Sequence, residues 1–501
     1  MAKFKRYDYS QKVLIPVSLE EQLVPGTLEF AIHTLIDTRL DMSVFEDKYK
    51  NDQTGRSAYD PRILLKVLLL GYSRGLISSR QIERACCENV TFMALSGNQR
   101  PDHSTIAGFV SSMKDQILPL YCDILLVCEQ EHLLGGTFFA LDGVKLPANA
   151  SKGCSGTISE LRKKNDKIQQ KVKRLLEDQI DADKDDNDDF SAGCKRERQI
   201  DKLKKQAERI KKWLKQNDQK ISSNGRELKS NLTDNDSALM FTSHGTIQGY
   251  NGQALVDDKH QIIVHAQAFG SGQDANHLEP MVNGAKANMQ KIGQSADYFK
   301  GKIFTADTSY HNQKNLKKCH DEQLDAYIPD LKFRNRDPRF ATRPRNKPKK
   351  SKKFVLEDFK HQPQKDHYIC PKGKILKLKV KKHTRDHNIY RRYLADEKDC
   401  SICSLKHRCF YRKNTKRRSL DVPIGAAKTN FSKAMQNKVD SDRGRKIYPQ
   451  RFAVVEPVFA NLKTQKRLDR FTLRGKTKVN IQWMLYCMVH NMEKIANFAT
   501  A

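Results

Sequence analysis

Two short apolar runs that each close on an aspartate constrain this chain most: 137–142 (TFFALD) and 302–307 (KIFTAD). Each is too short for a helix and apolar without alternation, the pattern of a strand buried on both faces. A strand of that kind needs layers above and below it, and the neighbouring segments supply them. The stretch 249–270 (GYNGQALVDDKHQIIVHAQAFG) predicts two strands around a turn at Asp257-Asp258-Lys259. A helix over 277–292, the strand 302–307, a helix over 313–322 and a strand over 325–330 (DAYIPD) follow. This order predicts an α/β fold with a mixed sheet flanked by helices.

The flanks differ in kind. Residues 1–130 predict an all-α domain, with apolar periodicity over 28–36, 63–72 and 117–128 and helix starts at Pro61, at Ser78-Ser79 and at Asp102 or Ser104. Its short helices and tight turns suit a DNA reader of the helix-turn-helix kind, and suit a dimerising bundle equally. Over 158–221, Leu161, Ile168, Val172 and Leu175 form one seam and Ile200, Leu203, Ala207, Ile210, Leu214 and Ile221 another, around the acidic DADKDDNDDF. This predicts a helical-hairpin insertion, 155–225. Two final helices are expected over 456–469 and 478–498. The catalytic domain would then comprise 131–330 plus 448–501, with a second insertion at 331–447.

Charge narrows the partner. Ninety-one Lys and Arg against 59 Asp and Glu leave +32, an excess that points to a polyanion, most plausibly nucleic acid. No apolar run approaches the ~20 residues of a membrane span, and no secretory h-region follows the first residues. Twelve cysteines of irregular spacing then point to reduced thiols and a cytoplasmic location.

Three acids stand at positions that chemistry would use. Asp142 is expected to end the first strand, Asp307 the fourth, and Glu456 to open a helix in which Pro457 lies in the first turn. Ends of neighbouring strands converge in space, so these carboxylates could hold two Mg²⁺ ions, which prefer oxygen ligands and leave room for water and phosphate. Lys463 lies seven residues after Glu456, close to two helical turns and therefore on the same face.

The strand-end aspartates in FALDGVKLPANASK and FTADTSYHN, the GYNGQALVD hairpin and the Y-x2-R…E-x6-K stretch resemble insertion-sequence transposases of the DDE, RNase H-like superfamily. The block PRILLKVLLLGYSRG…SSRQIERACCEN…PDHSTIAGF is similar to the N-terminal domain that such transposases carry. The resemblance implies an RNase H-like mixed sheet and a metal-binding triad of Asp142, Asp307 and Glu456, with two Mg²⁺ or Mn²⁺ ions. It also implies that Tyr448, Arg451 and Lys463 contact DNA near the transposon end. Four residues separate Arg451 from Glu456, where the commonest signature has three. The implied activity is binding of the element's terminal repeats, cleavage at the ends and joining of 3′ ends to target DNA. The implied protein is a homodimer acting on double-stranded DNA at a bacterial nucleoid. A metal-dependent nuclease of the same fold and a decayed DNA-binding protein are the alternatives.

The second insertion adds two features. Between residues 331 and 353 lie eleven Lys and Arg and one acid, Asp337, which predicts an extended basic arm on the phosphate backbone, with Arg334, Arg336 and Arg339 interleaved with Phe333 and Phe340. Cys370, Cys400, Cys403 and Cys409 include one CxxC pair and could form a four-thiolate Zn²⁺ site; His361, His367 and His407 are substitute ligands, and a knot of reduced thiols is the alternative.

Overall fold

A computed structural model describes residues 18–48, 57–182, 190–222, 225–340, 342, 353–385, 388–412, 414–424 and 430–499. The chain divides into two compact units, one formed by Met1–Phe333 with Met435–Ala501 and the other by Arg334–Ala434.

Among the described residues the N-terminal part of the first unit has six α-helices: α1 (Leu28–Thr38), α2 (Pro61–Ser73), α3 (Ser79–Glu88), α4 (Val90–Leu95), α5 (His103–Ser112) and α6 (Ile117–Gln130). Their starts follow local chemistry. Pro61 occupies the first turn of α2 behind the cap Asp60, Ser78 and Gln81 form a capping box on α3, and the Asp102 carboxylate accepts from the Ser104 and Thr105 amides of α5. Strand β1 (Phe138–Pro147) follows, then a two-stranded pair, β2 (Ser155–Gly156) with β3 (Ser230–Asn231). Between these lie α7 (Ile158–Ala182) and α8 (Phe190–Gln216), packed through Leu161, Ile210 and Leu232 with Ile168 and Leu214 at the margin. Most of the acidic stretch between the two helices, 183–189, lies outside the described residues.

The sheet is completed by β4 (Ala238–Thr242), β5 (Gly245–Asp257), β6 (Ile263–Phe269), β7 (Ile303–Ala306) and β8 (Asp325–Tyr327), with α9 (Leu278–Lys291) and α10 (Gln313–Asp321) between strands. Its order is β4-β5-β1-β7-β8, and β6 also pairs with β5. β1 is antiparallel to β5 and parallel to β7, so the sheet is mixed and helix-flanked as expected. Only β4 was not foreseen among its strands.

The second unit contains most of α11 (Phe333–Arg336), a five-stranded antiparallel sheet of β9 (Lys360–Gln362), β10 (His367–Ile369), β11 (Ile375–Arg385), β12 (Asn388–Ala395) and β13 (Ser419–Pro423), and the short helices α12 (Glu397–Ser401) and α13 (Lys406–Cys409). The chain then returns to the first unit with α14 (Phe431–Asp440), α15 (Asp442–Ile447), α16 (Gln450–Ala460) and α17 (Lys476–Phe498).

Helix α17 is the spine of the first unit. Trp483, Leu485, Tyr486, Met488, Val489 and Met492 are all fully buried, Tyr486 stacks on Tyr72 of α2 at 4.5 Å, and full burial of a large apolar side chain is worth about 1.5–3 kcal/mol. The same helix protects the open edge of β6. Asn480 exchanges hydrogen bonds of 2.8 and 3.0 Å with the Ala268 backbone, and Asn491, three turns later, exchanges two of 2.9 Å with Ile263. Among the described residues no helix is long and apolar enough to cross a membrane.

Candidate active site

Asp142 and Asp307 meet because β1 and β7 are register neighbours. Their parallel ladder runs from Phe138↔Ile303 to Leu141↔Ala306, and each aspartate is the next residue on its strand. Adjacent strands lie about 4.8 Å apart, so the two carboxylates leave one short stretch of sheet. Asp142 does not end its strand, contrary to expectation. β5 continues to offer ladder partners as far as Pro147↔Gly249, and β1 runs on through Gly143-Val-Lys-Leu-Pro147. Asp307 does leave its strand; its carboxylate accepts from the Thr308 amide at 2.6 Å and caps a single 3-10 turn, Thr308–Tyr310.

The third partner of this pair is a cation. Arg451 of α16 is 4 % exposed and donates from Nη1 to Asp142 Oδ2 at 2.6 Å, while the Gly143 amide donates to Asp142 Oδ1 at 2.8 Å. Burial raises the Asp142 carboxyl above the usual carboxylate range; Arg451 and the Gly143 amide pull it back, and the neighbouring Asp307 charge pushes it up again. The net rise means that burial outweighs the arginine and the amide that favour the charged carboxylate. Among the described residues the buried Nε of Arg451 has no hydrogen-bond partner.

Helix α16 differs from expectation in a way that moves Glu456. The helix begins at Gln450 behind Pro449, so Glu456 lies in its second turn and Pro457 is inside it. An internal proline removes the donor for the carbonyl four residues earlier. Here Gln261 replaces it, donating from Nε2 to the Ala453 carbonyl at 3.0 Å. Gln261 is itself held by His490 on its carbonyl, 2.9 Å, and by Lys494 on its side-chain oxygen, 3.0 Å. The β5–β6 turn and α17 thereby fix α16, and with it Arg451. Glu456 is exposed, and among the described residues no hydrogen bond or ion pair joins it to either aspartate.

The remaining expected DNA contacts separate into buried and exposed. Tyr448 is buried with its ring 5.5 Å from Phe333, and the buried Arg451 guanidinium lies 4.7 Å from the Phe452 ring. Lys463 is exposed, but it sits in a π-helical turn, Asn461–Gln465, so the α-helical spacing that placed it on the face of Glu456 does not apply. His311 is tied to the Ile328 carbonyl at 2.8 Å.

In the second unit, the start of the expected extended arm is instead two tight turns, α11 and a 3-10 turn, Pro338–Phe340. The cause is local: buried Asp337 accepts from the Arg339 amide and from its guanidinium, at 2.6 Å to Nη2. Arg334 and Arg339 are exposed and Arg336 is half-buried. Residues 343–352 of the arm lie outside the described residues. Cys370 opens the β10–β11 turn, where the Lys374 amide donates to its Sγ at 3.3 Å. Cys370, Cys400 of α12 and Cys409 of α13 pack against one cluster with Phe354, Phe359, Tyr368, Leu376 and Tyr393. Burial raises the Cys400 and Cys409 thiols, Arg418 pulls both back, and Cys370 and Cys403 raise each of them again. Among the described residues no group of three or more His, Cys, Asp or Glu side chains stands in position to hold a metal ion.

The sequence reading missed a polar group beneath the aspartates. Asn251 and Gln253, both fully buried on β5, donate to Asp274 Oδ1 at 2.6 and 3.0 Å, and buried Tyr310 donates its hydroxyl to Gln253 Oε1. The available signal was GYNGQALVD: two amides in an otherwise apolar strand must be satisfied by something.

Residues 369–496 match a family model described as a transposase DDE domain, and residues 17–112 match one described as a transposase domain (DUF772). The first covers Glu456, Lys463 and the four cysteines and does not reach Asp142 or Asp307; the second covers most of the N-terminal helices. Together they support an insertion-sequence transposase with an N-terminal domain, an enzyme that acts on DNA. No curated protein matches the sequence.

Proposed function

We propose that this protein is a transposase that binds the terminal repeats of its element, cleaves DNA at the ends and joins the 3′ ends to target DNA. The observation that carries this reading is the placement of Asp142 and Asp307 one residue beyond the last register pair of two parallel strands, with buried Arg451 against the first. The strand order, with β1 central between an antiparallel and a parallel neighbour, favours the RNase H-like arrangement.

The donor set suits a hard divalent cation. Mg²⁺ is commonly held by one or two carboxylates and completes its shell with water and substrate phosphate, so the two aspartates form an adequate protein core and Glu456 is the third acid. Bound Mg²⁺ or Mn²⁺, two ions in this reading, would polarise the phosphodiester and favour deprotonation of the attacking water or 3′-hydroxyl. The chain's own residues do the rest. Arg451 holds the Asp142 carboxylate in one orientation, and exposed Lys463, Arg334 and Arg339, with half-buried Arg336, take phosphate charge. Two ends must be brought together, which a homodimer accomplishes.

The second unit extends the reading. We assign Cys370, Cys400, Cys403 and Cys409 to a zinc ion, a reading supported by the shared packing of Cys370, Cys400 and Cys409, by the amide donated to Cys370 Sγ and by Cys403 three residues after Cys400. The ion would have to draw the four thiols inward from their present positions and displace their protons.

The experiment is DNA binding and cleavage on the element's own termini. Wild type should nick them only with Mg²⁺ or Mn²⁺, and Asp307→Ala should bind equally and cleave nothing; full activity in that variant overturns the proposal. Pre-cleaved ends that are never joined to target identify a nuclease instead, and wild-type binding with no metal-dependent chemistry identifies a DNA-binding protein alone.

A further inference from the structure

The polar group beneath the aspartates has a shape that core packing alone does not explain. Asn251 and Gln253 alternate on β5 and project toward β1, where their register partners are Lys145 and Gly143. Gly143, the residue after Asp142, has no room for a side chain: a Cβ there would stand 1.9 Å from Gln253 Nε2 and 2.7 Å from Asn251 Oδ1. The two amides also bind each other, Gln253 Nε2 to Asn251 Oδ1 at 3.0 Å, and both converge on one oxygen of Asp274. Asp274 lies in the 3-10 turn Asp274–Asn276, just before α9.

The far end of this network reaches the other aspartate. Tyr310 closes the turn that Asp307 caps, its amide donates to the Asp307 carbonyl at 3.1 Å, and its hydroxyl is spent on Gln253. Asn315 ties the two turns together, donating to the Tyr310 carbonyl at 2.9 Å and the Ala275 carbonyl at 2.8 Å. One continuous set of hydrogen bonds therefore runs from β5, the ladder partner packed on Gly143 of the Asp142 strand, to the turn of Asp307. Burial, and then the charges of Asp274, Asp142 and Asp307, raise the Tyr310 hydroxyl well above its ordinary range, so it remains a donor.

We infer that Asp274, Asn251, Gln253 and Tyr310 are positioning residues that hold the Asp142 and Asp307 carboxylates at the separation a divalent cation needs, with Asp274 as the anchor. This rests on the proposed function of the same site. Removing the Tyr310 hydroxyl frees the Gln253 amide to turn, and β1 and the Asp307 turn lose their shared tie. Removing the Asp274 carboxylate leaves the buried Asn251 amide without its acceptor and Gln253 with Asn251 alone, a larger loss, whereas asparagine restores an acceptor oxygen.

The test uses the full chain and two readouts: Mn²⁺ affinity by electron paramagnetic resonance without DNA, and the Mg²⁺ concentration for half-maximal cleavage. Tyr310→Phe should weaken Mn²⁺ binding about fivefold and raise the half-activating Mg²⁺ about as much, with DNA affinity unchanged and cleavage recovering at high Mg²⁺. Asp274→Ala should weaken Mn²⁺ binding more, and Asp274→Asn should recover most of it. Unchanged Mn²⁺ affinity in Tyr310→Phe overturns the inference whatever happens to thermal stability, and so does equal loss in Asp274→Ala and Asp274→Asn. If wild type binds Mn²⁺ and cleaves nothing, the proposed function fails while the Mn²⁺ series still decides the inference.

Discussion

The carboxylates of the first unit and the thiols of the second gather in different ways. Asp142 and Asp307 are brought together by a ladder between distant segments, and Arg451 neutralises part of their charge in advance. The thiols are brought together by turns and short helices at one end of a small sheet, around an apolar cluster, and among the described residues the nearby Arg418 guanidinium binds the Cys409 carbonyl and no thiol of the set. A sheet register fixes its ligands before any ion arrives, because slipping it by one residue would turn every side chain on the strand to the other face. A set built on turns gains its order from the ion itself.

The largest expected effect comes from breaking the thiol half of this contrast. Purified protein should carry about one zinc per chain, and Cys400→Ser with Cys403→Ser should carry none. Structural zinc contributes on the order of 10 kcal/mol in small zinc domains. Loss should therefore speed hydrogen exchange across β10 to β13 and leave β1 and β5 unchanged. Metal-free protein with slow exchange in that sheet would make the thiols ordinary packing.

A smaller loss is expected from the carboxylate half. Arg451→Met leaves the Asp142 carboxylate against an apolar side chain, and breaking a buried pair from one side costs about 3–5 kcal/mol. A quarter of the Asp142 side chain still meets solvent, which favours the lower end. Because the site is arranged for cations, Mg²⁺ should return part of the lost melting temperature to this variant and add less to wild type. Equal Mg²⁺ stabilisation in both would mean that Arg451 is not acting as the site's resident cation.

The same contrast explains what the sequence disclosed. The helix starts at Pro61, Ser78 and Asp102 are chemistry within three residues, and the buried strands that lead into Asp142 and Asp307 announce themselves by uninterrupted apolar runs. The continuation of β1 was illegible because Gly143-Val-Lys-Leu-Pro147 has no strand signature without β5 beside it. Glu456 was misplaced because a proline within a helix is ordinarily a start signal; here Gln261, almost two hundred residues away, supplies the missing donor. The pairing of Arg451 with Asp142 was illegible because a sequence signature does not say which way a side chain points. The second-unit sheet stayed hidden under charge: in β11, ILKLKVKKHTR, alternate residues are lysines, and Leu376 and Leu378 on the other face contact the apolar cluster.

The mildest way to separate the two units is acid. Burial pushes His490 down to about 3 and His265 to about 4, and both lie in the sheet–helix core of the first unit. A histidine held neutral in the fold takes up a proton on unfolding once the pH drops below its ordinary value near 6.5. The stability it contributes is complete above that pH and is lost progressively as the pH falls toward the folded value. From pH 6.5 to 5 the fully buried His490 should cost the fold about 2 kcal/mol, at 1.36 kcal/mol per unit. Charging His490 costs most because it is buried, and it lies against Gln261, the residue that secures α16. Mild acid should therefore raise hydrogen exchange first in α16 and α17, ahead of the second-unit sheet. Lowered carboxyls at Asp366 and Asp421 in that sheet release their stabilisation only below about pH 4, as those groups protonate. His490→Gln should flatten the loss between pH 6.5 and 5; an unchanged slope, or earlier opening of β11 and β12, would place the acid sensitivity elsewhere.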